Sequence, residues 1–106
     1  MAEQGIKLDR GKARFDLVPP GPLMELVGVY TYGAVKYEDR NWERGMDWGR
    51  IHAAIQRHLW AFWAGEDRDP ESGFHHLAHA AFGCFALMEY MRTHPELDDR
   101  PGRGLP

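Results

Sequence analysis

The sequence predicts an all-α fold, a small bundle of three main helices. Apolar residues recur at three- and four-residue steps in three separate stretches, and no segment shows a convincing two-residue alternation. Proline and glycine sit between the stretches, where they punctuate helices.

Residues 1–18 carry Lys7, Arg10, Lys12 and Arg14 and read as an extended arm. Pro19-Pro20-Gly21-Pro22 breaks the chain, and Pro22 suits a first helical turn because its missing N–H costs nothing there. Leu23, Leu26, Val27, Tyr30 and Ala34 follow at helical spacing, giving a helix over about residues 22–37, weakened at Gly28 and Gly33. Tyr37 to Arg50 lacks periodicity and reads as a long loop, a kind of segment that is often functional in a compact domain. Asp47 is a candidate N-cap for a second helix over about residues 48–64, through Ile51, Ile55, His58, Leu59 and Phe62. Gly65 ends it. Asp69-Pro70 reads as the N-cap and first-turn proline of a third helix. That helix starts at about Glu71 or Phe74 and reaches Met91 through Leu77, Ala81, Cys84, Phe85 and Met88. His94-Pro95 ends it. The expected organisation is an arm (1–18), one helical domain (19–94) and a tail (95–106).

The 106 residues suffice for one domain with a modest core, and four Trp plus five Phe leave apolar area that homo-oligomerisation would cover. A net charge of −3 gives no basic field for nucleic acid, although local cations or a metal can still bind a small anion. Cys84 alone permits no internal disulfide, which suits a reducing compartment. No stretch resembles a signal peptide or approaches a membrane span, so a cytoplasmic protein without membrane association is expected.

The chemistry concentrates between the second and third helices. Residues 66–79 hold Glu66, Asp67, Asp69, Glu71, His75, His76 and His79. Packing does not need that density of carboxylate and imidazole, whereas a divalent ion does. One cysteine excludes a thiolate-rich zinc cluster, leaving an oxygen- and nitrogen-ligated site. His76 and His79 are three apart and share a helical face with Ala80 and Gly83, small residues that leave room for an ion or substrate. The opposite stripe of Leu77, Ala81, Cys84 and Met88 is expected to pack. The alternative for each histidine is a core residue hydrogen-bonded to backbone. That applies most to His58, which lies on the apolar stripe of the second helix, while Arg57 points about 100° away, toward phosphate. Asp69 has the competing task of capping, with Glu71 then in the first turn. Glu66 and Asp67 follow a helix C-terminus, where an anion needs a compensating cation. Lys36, Arg40, Asn41 and Trp42 combine cations for phosphate, an amide for a base edge and an aromatic face for stacking, the alternative being a turn folded onto the core. Lys12, Arg14 and Asp16 read as a lid or as solvated arm. A phosphate-binding Gly-rich loop and an adjacent His-Asp pair are absent.

Several ordered motifs carry a resemblance. Gly-Lys-Ala-Arg-Phe-Asp-Leu-Val-Pro-Pro (11–20), Tyr-Gly-Ala-Val-Lys-Tyr (32–37), Arg-Asn-Trp (40–42), Arg-His-Leu-Trp-Ala-Phe (57–62) and Gly-Glu-Asp…Asp-Pro-Glu-Ser-Gly…His-Leu-Ala-His-Ala (65–80) resemble the phage dATP/dGTP diphosphohydrolase family. Such proteins look like relatives of the MazG-like all-α nucleotide pyrophosphohydrolases. The resemblance implies a metal-dependent homo-oligomer, a dimer or tetramer, that cuts a purine deoxynucleoside triphosphate, dGTP or dATP, to the monophosphate and pyrophosphate. In phages that replace adenine by 2-aminoadenine, the dGMP would feed synthesis of the modified nucleotide. The Glu-Glu-x-x-Glu and Glu-x-x-Asp pattern of the MazG-like enzymes is missing, with Arg57-His58 and His76-x-x-His79 near the corresponding places. Histidine ligands favour Mn²⁺ or Co²⁺ over Mg²⁺.

The expected mechanism is metal-assisted hydrolysis. Ligands come from His58, Glu66, Asp67, Asp69, His76 and His79; Glu66 orients or deprotonates water; Lys36, Arg40 and Arg57 neutralise phosphate charge; Asn41 and Trp42 receive the base. The rival readings are a non-catalytic nucleotide-binding or helical oligomeric assembly module, and a phage adaptor that uses its aromatic surface only for contacts.

Overall fold

The structure, a computed structural model, describes residues 3–102. It is all-α: α1 spans Pro20–Lys36, α2 Trp48–Trp63 and α3 His76–Thr93, with 3₁₀ turns at Phe15–Leu17, Asn41–Arg44 and Pro95–Leu97. No strand occurs among the described residues; one isolated antiparallel bridge joins Arg68 and His75. The helix α3 is central, packed mainly on α2 and secondarily on α1. No helix among the described residues is long and apolar enough to cross a membrane.

α1 begins two residues earlier than its spacing suggested, because Pro20 and Pro22 both fit a first turn that needs no N–H donor. α2 matches its expected span. Asp47 occupies the N-cap position but makes no side-chain cap bond. The Asp99 carboxylate accepts from Gly49 N–H instead, at 2.8 Å. The anion at this helix N-terminus therefore comes from the far end of the chain. The segment after Thr93 lies on the body: Leu97 packs against the core, and the Arg100 guanidinium sits 4.8 Å from the Trp48 ring. Residues 1–2 of the expected arm and 103–106 of the expected tail lie outside the described residues.

α3 begins at His76, later than expected, and Asp69 does not cap it. Asp69 Oδ1 accepts from Glu71 N–H, and its carbonyl accepts from Gly73 N–H at 2.7 Å. A short acidic side chain bonding its own loop competes with helix, so Pro70 and Glu71 stay in a turn. Gly73, at φ +79°, closes that turn in a conformation that favours glycine.

The buried face of α3 also differs from the expected one. His76, Ala78, Ala80, Gly83, Ala86 and Tyr90 are inside, whereas Leu77, Cys84 and Met88 are exposed. The small residues let α2 approach closely rather than leaving space for a ligand. A Cβ on Gly83 would lie 2.9 Å from Ile55 Cδ1. Trp48, Ile51, Ile55, Ala80 and Tyr90 form the core, with Trp42, Met46, Leu87 and Leu97 against it. Tyr90 is wholly buried, and its hydroxyl donates to the Trp42 carbonyl, tying the loop between α1 and α2 to α3. Replacing Tyr90 by Phe removes that bond but leaves the carbonyl accepting from Gly45 N–H at 3.1 Å, and is expected to cost about 1 kcal/mol, read as a lower thermal midpoint.

Candidate active site

The hairpin between α2 and α3 is what assembles the site. Gly65, at φ +107°, ends α2, and Glu66 N–H reaches back to the Ala61 carbonyl. Asp69 N–H bonds the Phe74 carbonyl at 2.8 Å, and Arg68 spans the loop to the Gly73 carbonyl and to Glu25 of α1. Thus locked, the loop points Asp69 inward at His79, with His79 Nε2 and Asp69 Oδ2 3.5 Å apart. Ser72 Oγ lies between them, 2.6 Å from His79 Nε2 and 3.4 Å from Asp69 Oδ2.

His58 on α2 faces the same point. Its ring stacks on His79, with centroids 4.5 Å apart and planes 7° from parallel. One ligand atom from each of His58, Asp69 and His79 lies within 4.8 Å of the others. A cation with bonds of about 2.1 Å holds its ligands about 3–4 Å apart, so a small inward movement would complete such a set. The donors fit a borderline divalent ion: two imidazoles and one carboxylate.

Burial pushes both imidazoles below the ordinary 6.5; for His58 the neighbouring histidines lower it further, and for His79 the Asp69 charge opposes the burial. Both rings are therefore neutral near pH 7, the form that ligates a metal. Between 6.5 and the lower folded values the unfolded chain binds more protons, so acidification through that window removes stability and recovery to higher pH restores it. Mn²⁺ affinity is expected to stay level down to pH 6.5 and to fall only as the pH drops through the lower folded values. Calorimetry at pH 7 in buffers of different ionisation enthalpy is expected to show little proton release.

The histidines form one wall of a cleft of about 320 Å³ between α1, the 37–47 loop, α2 and α3. Lys36, Asn41, Trp42, Arg57, His58, Asp69 and His79 all line it. These are seven of the eleven site residues expected from sequence. Lys36 Nζ is 2.6 Å from Glu71 Oε1, which also accepts from the Tyr32 hydroxyl. Lys36, and then Tyr32, hold the Glu71 carboxyl below the usual range. Arg57 lines the cleft with no ion-pair partner among the described residues.

The other four are elsewhere. Arg40, left-handed at φ 59°, turns to Glu43 at 2.7 Å. Asp67 leaves its side chain exposed and uses its carbonyl to accept from His76 N–H. His76 is buried behind His58, and Glu66 bonds to His76 Nε2 at 2.7 Å instead of lining the cleft. The α2 C-terminus, the tight 69–73 turn and the contact of Arg68 with Glu25 of α1 together fix which of the carboxylates points inward.

Sequence reasoning did not assign Tyr32, Ser72 and Phe82 to the site, and it placed Glu71 in a helix. Tyr32 lies four residues before Lys36, a spacing that shares a helical face and offered a signal. Trp42 is packed edge-on against Tyr30 and Phe82, so only part of its ring borders the cleft, while Tyr37 is 63% exposed there.

A family model described as dATP/dGTP diphosphohydrolase, N-terminal, matches residues 2–100. A curated protein of Salmonella phage PMBT28 named dATP/dGTP diphosphohydrolase is 38% identical over 96 residues. The match covers 91% of this chain but 33% of that protein, so the chain spans about a third of its relative's length. No solved structure matches.

Proposed function

Because the chain belongs to the dATP/dGTP diphosphohydrolase N-terminal family, we propose that it hydrolyses a purine deoxynucleoside triphosphate, dGTP or dATP, to the monophosphate and pyrophosphate. In a phage that replaces adenine in its DNA, dGMP made here would supply the modified purine. The observation that carries the reading is the convergence of His58, Asp69 and His79 beside Lys36 and Arg57 in one cleft.

His58, Asp69 and His79 would hold a divalent ion, Mn²⁺, Co²⁺ or Mg²⁺, which when bound supplies Lewis-acid polarisation of a phosphoryl oxygen. Arg57, with no ion-pair partner among the described residues, takes phosphate charge directly. Lys36 exchanges Glu71 for phosphate. Glu71, released from Lys36 but still bonded to the Tyr32 hydroxyl, then orients the attacking water, a role that Glu66 does not reach from its place on His76. Tyr37 and the open edge of Trp42 flank the base, and Asn41 supplies an amide to its edge. Replacing Lys36 by Ala is expected to raise KM several-fold and lower kcat, since it removes a cation that neutralises phosphate charge in the ground state and in the transition state.

The test is a product assay with each dNTP and NTP and each ion. Purine dNMP plus pyrophosphate, lost with EDTA, is the expected result. Saturable binding of intact nucleotide, unchanged by EDTA, would identify a binding module instead.

Self-association belongs to the same proposal. Trp60, Trp63, Leu77, Phe85, Met88 and Met91 are exposed on α2 and α3, Trp63 by 81%, an apolar expanse that a monomer rarely leaves open. A homodimer or tetramer is expected by light scattering, and Trp63→Lys is expected to dissociate it.

A further inference from the structure

His76 is the one buried polar residue among those described, 4% exposed, and both of its ring nitrogens are engaged. Nε2 lies 2.7 Å from Glu66 Oε1. Nδ1 lies 2.9 Å from Nδ1 of His58. Two Nδ1 atoms at that distance share one proton, so one ring donates and the other accepts.

Glu66 fixes which. An ionised carboxylate only accepts, so His76 donates through Nε2–H. A neutral His76 then carries its lone pair on Nδ1 and accepts from His58 Nδ1–H. The remaining nitrogen of His58, Nε2, is left with a lone pair. Each bond is therefore donated in one direction, from the ring that borders the cleft, through His76, to a half-exposed carboxylate.

We propose that Glu66 and His76 are positioning residues that set, through this directed hydrogen-bond chain, the tautomer and orientation in which His58 presents Nε2 to a divalent cation. The cation is the one proposed above, and the proposal rests on that reading only for its metal. It gives Glu66 and His76 a task behind the ligands rather than among them. A carboxylate behind an imidazole raises the ring's ligand strength and holds its plane.

The experiment uses the intact metal-free chain with ¹⁵N-labelled histidine, in which two-bond ¹⁵N–¹H correlations report each tautomer. Wild type is expected to show His76 protonated on Nε2 and His58 on Nδ1. In Glu66→Ala the direction of the chain is no longer fixed, so His58 is expected to become a mixture of tautomers. Mn²⁺ affinity is expected to fall about 10–100-fold with it. Glu66→Gln keeps the size of the side chain, but its amide can donate as well as accept, so it too is expected to leave His58 a mixture of tautomers and to lower the affinity. Circular dichroism should match across the three, since Glu66 is exposed. A wild-type His58 protonated on Nε2, or a His58 tautomer that ignores Glu66→Ala, would overturn the proposal. Tautomers that respond as stated in a chain that binds no Mn²⁺ would uphold the positioning role and remove the metal reading.

Discussion

Replacing His79 by Ala is expected to abolish turnover while the protein stays folded. His79 supplies one of three converging ligand atoms, stacks on His58, and bonds Ser72. Its removal takes a cation ligand and the neighbour that holds the second ligand's ring in place. A loss on the order of 10²–10³-fold in kcat is the scale for losing one preorganised electrostatic contact, and a metal ligand should reach at least that. The ring is partly buried, so the cavity left is small, and the helical circular dichroism signal should be retained. Mn²⁺ titration of the variant should show weakened or absent binding. Loss of fold in step with loss of activity would return His79 to the class of core histidines.

Asp69→Asn is expected to separate the two tasks of that carboxylate. The amide oxygen can still accept from Glu71 N–H, so the turn that orients the loop should survive with a stability change of no more than about 1 kcal/mol. The negative charge beside His79 disappears, and with it the one anionic ligand of the set. Turnover is expected to fall about 10²-fold or more, with Mn²⁺ affinity falling in parallel. Asp69→Ala should lower stability as well, because Glu71 N–H then loses its acceptor. Equal activity in the Asp69→Asn variant and the wild-type protein would remove Asp69 from the ligand set and leave it only the turn.

The helices were readable because apolar spacing and Pro/Gly punctuation are local signals. α2 shows this best, with Ile51 and Ile55 inside and Gly65 just past the end. α3 shows the limit. Its most apolar stripe, Leu77 to Met88, faces outward, and its small residues face α2, because close helix packing selects for lack of bulk. Hydrophobicity alone does not report that geometry. The start of α3 was misplaced for a related reason: Asp-Pro offers a helix cap and a turn equally well, and the bonds of Asp69 to Glu71 and Gly73 decide between them.

The all-α class, the family and the residue types of the site were already legible in one dimension: imidazole, carboxylate and cation crowd into residues 57–79, with an aromatic and cationic loop before them. Composition and spacing suffice for that, since chemistry requires particular groups whatever their partners. Which groups meet was settled only by the folded chain. Asp69 points to His79 while Glu66 turns to His76, although the two carboxylates are three residues apart. Direction at a loop depends on backbone torsions such as those at Gly65 and Gly73, and on contacts across the fold such as Arg68 with Glu25, which no local pattern encodes.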